Sequence, residues 1–184
     1  MSASPYPVAV IGAGSWGSAL AMLAARCEQQ TLLWSAEPGH AQAMAKSRSN
    51  EAYLPGIPLD ERVTPSDDFA QAAKAAHLIL AVPSHAFREV LTRLKTPLPD
   101  DQRRYICWGT KGFEPETSML LSDVFHEVMG GDAIPAVVSG PSFAGEVAQG
   151  LPSALTVAAE DHEDAATIAA WFRDQRTRVY TSTD

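Results

Sequence analysis

The sequence is poor in cysteine and has no long apolar segment. Its 184 residues include only Cys27 and Cys107, which stand far apart and outside any Cys-x-x-Cys pattern. Metal and redox sites therefore lack support, and both thiols are expected to be free and buried or half-buried. No apolar run approaches the roughly 20 residues of a membrane span, and residues 1–7 lack the regions of a secretory signal. We expect a reduced, cytoplasmic location.

Positive charge is also scarce. The chain has 14 Lys and Arg against 22 Asp and Glu, for a net charge of −8. Basic residues stand close together in small groups that are scattered among acids: Lys46 and Arg48, Arg103 and Arg104, and Arg173, Arg176 and Arg178. Such a surface disfavours nucleic-acid binding, so any anionic ligand must be held by local dipoles or single cations. Hydrophobic residues make up 46% of the chain, enough for one core, and a single domain over residues 1–184 is predicted.

Short apolar runs alternate with amphipathic segments along the whole chain. Strands are predicted at Val8–Ile11, Thr31–Trp34, Leu78–Val82, Tyr105–Trp108, Ala136–Ser139, Ala154–Ala158 and Arg178–Tyr180. Helices are predicted at Ser15–Arg26, Pro38–Ser47, Ser66–Ala76, Phe87–Leu94 (ended by Pro97 and Pro99), Thr117–Met129, Ser142–Gln149 and Glu163–Arg173. The segment 50–65 holds three prolines and is predicted to be a structured loop outside the core. This alternation predicts an α/β fold, a Rossmann-type doubly wound, mostly parallel sheet with helices on both faces and all strand carboxyl ends at one edge.

A glycine-rich turn follows the first strand. Gly12, Gly14 and Gly17 fit the G-x-G-x-x-G spacing between a strand and a helix. Gly12 would permit a tight turn, Gly14 would let a pyrophosphate approach the backbone, and Gly17 would let the helix pack on the sheet. The N–H groups around Ser15 and Trp16 would bind the anion. A ligand-free turn is the alternative, and Trp16 could equally be a packing residue.

The end of the second strand should distinguish NAD from NADP. An acid there binds the ribose hydroxyls and repels a 2′-phosphate, and Glu37 is the candidate. No cation stands at this turn, which favours NAD. Glu37 lies a few residues beyond the expected position of that acid, however, and it could equally be an ordinary acid at the start of a helix.

Polar residues follow three further strands at the same edge. Pro83 would shape the wall near the cofactor, and His85 is either a proton carrier or an ordinary helix-start histidine. Lys111 would bind a phosphate or hydroxyl, or lie on the surface. The turn 139–144 could bind an anion, while Glu146 could simply complement the helix dipole. Their convergence on one edge favours a cleft.

Five segments taken in order resemble one family. They are residues 11–17, Leu54-Pro55, Val82-Pro83-Ser84-His85, Thr110-Lys111-Gly112 and Ser139-Gly140-Pro141-Ser142-Phe143-Ala144. Together they resemble the bacterial-type NAD(P)-dependent glycerol-3-phosphate dehydrogenase family, in its N-terminal cofactor-binding domain, from Val8 to about Tyr180. The 110–112 and 139–144 segments are the specific ones, because the glycine-rich turn alone fits many dehydrogenases.

The resemblance implies a reaction and roles for single residues. The reaction is reversible hydride transfer between NAD(P)H and dihydroxyacetone phosphate, giving glycerol 3-phosphate for phospholipid synthesis. Cofactor contacts are implied for Ser15, Trp16, Lys111 and Ala144, beside Gly12, Gly14, Gly17 and Pro83. Substrate contacts are implied for Lys111, Gly140 and Ser142. Lys111 would be catalytic by stabilising the oxygen that gains charge.

Two departures from the family pattern affect these expectations. Many members carry a histidine or arginine where this chain has Ala36, which leaves the choice between NAD and NADP open. The family also has a helical second domain that supplies a general acid/base lysine and most of the phosphate site. That domain is absent from this chain, which is therefore expected to bind cofactor without turnover. A homodimer is expected of the whole enzyme.

Two other functions remain compatible with the residues. The chain could be the cofactor domain of another reductase, acting on a hydroxy acid or a ketopantoate-type compound, although such an enzyme would not need Lys111 and the 139–144 turn together. It could also be a non-catalytic module that senses dinucleotides.

Overall fold

The computed structural model describes residues 4–95 and 104–183, which form ten strands and seven helices. The strands are β1 (Val8–Ile11), β2 (Thr31–Trp34), β3 (Ser49–Asn50), β4 (Leu54–Pro58), β5 (Val63–Ser66), β6 (His77–Leu80), β7 (Tyr105–Trp108), β8 (Ile134–Ser139), β9 (Ser153–Ala159) and β10 (Thr177–Ser182). The helices are α1 (Ser15–Arg26), α2 (His40–Ser47), α3 (Phe69–Ala72), α4 (Ser84–Leu94), α5 (Leu121–Met129), α6 (Ala144–Ala148) and α7 (His162–Ala169).

Eight strands form one sheet in the order β10-β9-β8-β7-β6-β1-β2-β5. The first strand is fully buried and its side chains alternate between the two faces: Val8 and Val10 join a core with α1, α6 and α7, whereas Ala9 and Ile11 join a core with α4 and α5. A strand buried on both faces has to be a continuous apolar run, as this one is. The predicted doubly wound α/β fold is confirmed. The strand order reverses between β6 and β1, which puts a cleft at the carboxyl ends of those strands.

The last two strands run against the others, contrary to prediction. Pairs β1–β2, β1–β6, β2–β5, β6–β7 and β7–β8 are parallel, but β9 is antiparallel to β8, and β10 is parallel to β9. The expectation that all carboxyl ends share one edge was therefore wrong for β9 and β10. The connection through the short α6 returns the chain beside β8 as an antiparallel neighbour. The start of β9 therefore lies at the edge of the sheet where β8 and the other parallel strands end.

The proline-containing segment 50–65 is more regular than predicted. Strands β3 and β4 form a small antiparallel hairpin, and β5 is the outer strand of the main sheet, parallel to β2. Pro65 lies in β5, which is at the sheet edge, where the missing N–H of proline is tolerated. Val63 is fully buried, so the prediction of a loop outside the core was wrong.

Several helix boundaries also differ from the predictions. Thr117 does not cap α5, because its hydroxyl donates to Glu114 and the helix begins only at Leu121. Helices α3 and α6 have four and five residues, shorter than predicted. Asp68 caps α3 by accepting from the Gln71 N–H at 3.0 Å, in agreement with the cap predicted at residues 66–68. Pro97 and Pro99, the predicted helix breakers, lie outside the described residues.

Both cysteines are free, as predicted, with Cys107 buried and Cys27 half-buried. Burial raises the pKa of the Cys27 thiol to about 11, and it raises that of Cys107 further. Neither thiol is therefore suited to nucleophilic chemistry near neutral pH. Among the described helices, none is long and apolar enough to cross a membrane.

His77 makes stability depend on pH. Its ring packs 4.6 Å from the Trp171 ring and 5.7 Å from the Tyr105 ring, centroid to centroid, and burial lowers its pKa below 6.5. The folded state then binds fewer protons than the unfolded state, so stability falls as pH drops below about 6.5. Urea unfolding at pH 7.5 and 5.5 should show this loss, and His77→Phe should reduce it. His85→Gln, at an exposed histidine, is the control and should keep the wild-type loss. An equal loss in His77→Phe would contradict the assignment.

Candidate dinucleotide site

A cleft of about 560 Å³ lies where β1, β2, β6 and β7 end. We refer to it as the main cleft. Its walls come from the turn 12–16, the turn 34–37, residues 81–84, one side of α4 and residues 109–111. The sequence-predicted residues Gly12, Gly14, Ser15, Trp16, Pro83 and Lys111 all line it. Its volume lies within the range of sites for small molecules and cofactors.

The three glycines of the first turn serve three different spatial needs. Gly12 has φ +110°, and a Cβ there would lie 2.6 Å from the Ala81 carbonyl oxygen. A Cβ on Gly17 would lie 1.8 Å from the Gly12 oxygen, so Gly17 lets α1 pack against the turn and is buried behind the cleft. A Cβ on Gly14 would meet nothing within 4 Å. Gly14 therefore borders open space, as the approach of a ligand to the backbone requires.

The start of α1 is arranged to receive an anion. Gly14 is the N-cap, with extended backbone and no side-chain cap. Among the described residues, no hydrogen-bond acceptor is found for the N–H groups of Ser15 and Trp16, while the Ser18 N–H already bonds the Gly14 carbonyl at 2.9 Å. Unpaired N–H groups and the positive end of the helix dipole favour negative charge here, although the protein as a whole is acidic.

Trp16 both packs and borders the cleft, so the two interpretations left open by the sequence are compatible. A Cβ on Gly109 would lie 2.4 Å from the indole Nε1 of Trp16, so the ring rests directly on that glycine. The indole Nε1 is buried without a hydrogen-bond partner among the described residues. Gly109 is thus a close-approach position that the sequence analysis missed. Its place directly after β7 was the available signal.

Glu37 lies in the main cleft and accepts a hydrogen bond from the Tyr53 hydroxyl. This bond and the carboxylate charge raise the pKa of Tyr53, which stays a neutral donor. The backbone N–H of Glu37 is also held, at 3.3 Å from the Ser35 hydroxyl oxygen. The predicted ribose-reading acid is therefore positioned at the cleft, and Tyr53 from the β3–β4 hairpin is an unpredicted companion.

Asn50 ties the glycine-rich turn to the end of β2. It is fully buried, and its amide nitrogen donates to the Ala13 carbonyl at 2.8 Å and to the Ser18 hydroxyl at 2.7 Å. Its amide oxygen accepts from His40 Nε2 at 3.0 Å, and His40 Nδ1 lies 2.8 Å from the Ser35 hydroxyl. The chain of bonds thus fixes two turns of the main cleft, 12–16 and 34–37, relative to each other. Sequence reasoning missed Asn50 because it lay in the segment predicted to be a loop.

The α4 wall of the main cleft is formed by one helical face. Ala86, Val90 and Arg93 follow one another at intervals of four and three residues, and all three line the cleft. Residues at this spacing lie on the same side of a helix. The cation Arg93 was not predicted as a site residue, although this periodicity could have identified it. His85 does not line the main cleft: it is exposed and lines a neighbouring groove with Arg88 and Glu114, and this groove shares Glu89 and Arg93 with the main cleft.

Lys111 connects the main cleft with the turn after β8. Its ammonium nitrogen lies 3.4 Å from the Ser139 hydroxyl oxygen, and its side chain is exposed. The neighbouring Thr110 hydroxyl donates to the Val82 carbonyl at 2.8 Å, which fixes the loop that carries the lysine. A lysine on a fixed loop, with an exposed ammonium group that has donors beyond the one near Ser139, can contact an anionic ligand.

The turn 139–144 lies beyond Lys111 and outside the main cleft. A Cβ on Gly140 would lie 2.5 Å from the Ala154 carbonyl oxygen, so this glycine packs against the start of β9. The Ser142 hydroxyl donates to that same carbonyl and accepts from the Ala154 N–H, both at 3.2 Å. Gly140, Ser142 and Ala144 are therefore not lining residues of the main cleft, and Lys111 is the bridge to them.

The start of α6 is already capped. The Phe143 N–H donates to the Glu146 carboxylate at 3.2 Å, so Glu146 complements the helix start as expected. This acid competes with any anion at that helix end, and the predicted anion-binding role of the turn is weakened. No cluster of metal-ligating side chains is found among the residues that the structure describes.

Known proteins match this chain along nearly its whole length. A family profile described as NAD-dependent glycerol-3-phosphate dehydrogenase N-terminus matches residues 7–165. The NAD(P)+ glycerol-3-phosphate dehydrogenase of Legionella pneumophila (strain Paris) is 43% identical over 96% of this chain and 53% of its own length. The corresponding protein of Thioalkalivibrio sulfidiphilus is 46% identical over 98% of this chain and 54% of its own. The chain thus spans about half the length of the curated relatives it matches.

The solved structures agree with the sequence matches. The crystal structure of glycerol-3-phosphate dehydrogenase from Coxiella burnetii superposes with a TM-score of 0.87 at 39% identity, covering 97% of this chain and 54% of that one. Because the profile matches most of the chain and relatives above 40% identity extend across it, the chain belongs to the NAD-dependent glycerol-3-phosphate dehydrogenase family and corresponds to its N-terminal part.

Proposed function

We propose that this chain is the dinucleotide-binding part of an enzyme that interconverts sn-glycerol 3-phosphate and dihydroxyacetone phosphate with NAD or NADP. The observation that carries the proposal is the main cleft, where open space at Gly14 meets unpaired helix N–H groups and Lys111. These features suit a pyrophosphate at one end and an anionic substrate at the other. The family match supplies the substrate pair.

We assign the following roles to the residues of this chain. The start of α1, with Ser15 and Trp16, would hold the pyrophosphate, and the bound dinucleotide would supply the hydride. Lys111 places a positive charge beside the carbonyl oxygen, which becomes negative as hydride arrives. The Ser139 hydroxyl, 3.4 Å from the lysine, helps to orient that charge. The resemblance assigns substrate contacts to Gly140 and Ser142, a cofactor contact to Ala144, and the general acid/base to the second domain.

The proposal extends to the remainder of the protein. We propose that a helical domain, outside residues 1–184, completes the substrate site, and that the whole enzyme is a homodimer. The location would be cytoplasmic, and the product would supply phospholipid synthesis. The chain alone is then expected to bind the cofactor without turnover.

A chimaera tests the activity directly. Fused to the second half of the Legionella pneumophila relative, the chain should oxidise NADH with dihydroxyacetone phosphate. Oxidation with a hydroxy-acid precursor instead would favour another reductase. Cofactor binding by a folded chimaera that turns over neither compound would favour a dinucleotide-sensing module.

Lys111→Met in this chimaera should lower kcat/KM about 100-fold or more, because a charge aimed at the developing oxyanion is lost. The change in the Kd for NADH should be much smaller, since α1 supplies the pyrophosphate contacts. Lys74→Met, an exposed lysine outside the main cleft, is the matched control and should keep full activity. Steady-state kinetics and NADH titration measure the two quantities. Wild-type kcat/KM in Lys111→Met would contradict the catalytic role.

A further inference from the structure

Arg93 brings a positive charge to the main cleft from an unexpected element. The cleft is lined by two cations among the described residues, Lys111 and Arg93. Lys111 neighbours Ser139, whereas Arg93 is beside Trp34, the last residue of β2. In this fold the ribose that distinguishes NAD from NADP is read at the end of β2. Arg93 therefore lies at the adenosine end of the cleft.

Aromatic rings hold the Arg93 guanidinium in place. Its central carbon lies 3.8 Å from the centroid of the Phe69 ring and 5.6 Å from that of the Trp34 ring. Trp34 is fixed in turn, because its indole N–H donates to the Asp67 carbonyl at 3.1 Å. Such stacking restricts the long side chain and leaves the edge of the guanidinium, with its N–H donors, free for an anion.

The charge of Arg93 is only weakly neutralised. Its ion pair is with Glu89, one helical turn earlier, at 3.9 Å, and the two side chains are 43% and 75% exposed. An exposed pair of this length is worth little. Glu37, the acid at the same end of the cleft, already accepts from the Tyr53 hydroxyl. Among the described residues no hydrogen bond of the Arg93 guanidinium is found, so a phosphate placed here would find its donors unused, together with the opposing carboxylates of Glu37 and Glu89, which also line the cleft.

We propose that Arg93 binds the 2′-phosphate of NADP, and that Arg93 and Glu37 together let the site accept both NADP and NAD. This inference rests on the proposed function, since it concerns the same cofactor site. The cation comes from α4 and not from the turn after β2, where Ala36 stands. Arginine suits the role because its planar N–H groups match phosphate oxygens in pairs. Glu37 favours the ribose hydroxyls of NAD.

Parallel calorimetric titrations of wild type, Arg93→Gln and Glu37→Gln with NADH and NADPH test the proposal. Arg93→Gln should weaken NADPH binding about tenfold or more and change NADH binding by less than about twofold, the scale of one lost charge-assisted contact. Glu37→Gln should tighten NADPH binding. Arg62→Gln, at an arginine outside the main cleft, is the control and should alter neither. Thermal unfolding of each variant verifies that it is folded.

Adenosine 2′,5′-bisphosphate and 5′-AMP isolate the 2′-phosphate itself. Wild type should prefer the bisphosphate, the preference should fall with added salt, and Arg93→Gln should abolish it. Equal losses of NADH and NADPH in Arg93→Gln, the pattern of an arginine that only stacks on adenine, would overturn the proposal. No change with either cofactor would also overturn it. Failure of wild type to bind any dinucleotide would instead contradict the proposed function.

Discussion

Gly17→Ala should be among the most damaging single-methyl changes in this chain. The added Cβ would lie 1.8 Å from the Gly12 carbonyl oxygen and 3.2 Å from the Ala81 Cβ. The nearest atom is backbone of the adjoining turn, so it cannot rotate away, and α1 would have to move off the sheet. We expect a loss of more than about 4 kcal/mol of unfolding free energy, as for other severe steric changes in cores. For a domain of this size, that lowers Tm by more than about 10 °C.

Gly14→Ala is the matched control for that steric effect. It is the same chemical change three residues away, where the new Cβ meets nothing within 4 Å and the φ of −70° suits any residue. We expect a change below about 1 kcal/mol, the scale of an altered N-cap. Differential scanning calorimetry measures the Tm of both variants and of the wild type. Similar Tm values for Gly17→Ala and wild type would contradict the packing described at the turn.

Asn50→Ala is expected to have the second largest effect on stability. It removes a fully buried amide that bonds Ala13, Ser18, His40 and the Tyr53 N–H. Buried partners left unpaired cost about 1–3 kcal/mol each, and some regain water, so we expect a total loss of about 3 kcal/mol. Because the Ala13 carbonyl belongs to the glycine-rich turn, the variant should also bind NADH more weakly.

Urea unfolding and NADH titration of the same preparation separate these two effects. Gln42→Ala removes an exposed amide whose bond to Asp67 is on the surface, and it should change stability by less than about 0.5 kcal/mol. An Asn50→Ala protein as stable as Gln42→Ala would show that the buried network contributes little. Reduced stability with unchanged NADH affinity would show that it does not position the cofactor turns.

Strands β1, β2, β6 and β7 were predictable because their signals are local. Residues 8–11 form an apolar run that directly enters a glycine-rich turn, and both features are read from neighbouring positions. The same holds for the Asp68 cap and for the free, buried Cys107. The direction of β9 was not predictable in this way, because it depends on how the chain returns after α6 and on pairing with β8. Strand direction is a property of tertiary contacts.

The residues of the candidate site show the same difference between local and long-range signals. Gly12, Gly14 and Lys111 follow strands and could be assigned to the ligand edge from their positions alone. Asn50 could not be assigned, because its partners Ala13 and Ser18 lie 37 and 32 residues away in the chain. Proline-containing segments also predict loops, whereas Pro65 is accommodated at the sheet edge. Long-range hydrogen bonds and edge positions leave no short-range pattern in a sequence.

Titration of this chain and its Gly14→Ala variant with NADH, followed by energy transfer from tryptophan, tests the central claim most directly. Trp16 and Trp34 both line the main cleft and would report occupancy. We expect saturable binding to the wild type, and at least about tenfold weaker binding to the folded variant, because the methyl occupies the space through which a pyrophosphate reaches the backbone. Equal affinities would show that the dinucleotide does not bind at the β1–α1 turn, and would contradict the assignment of the main cleft as its site.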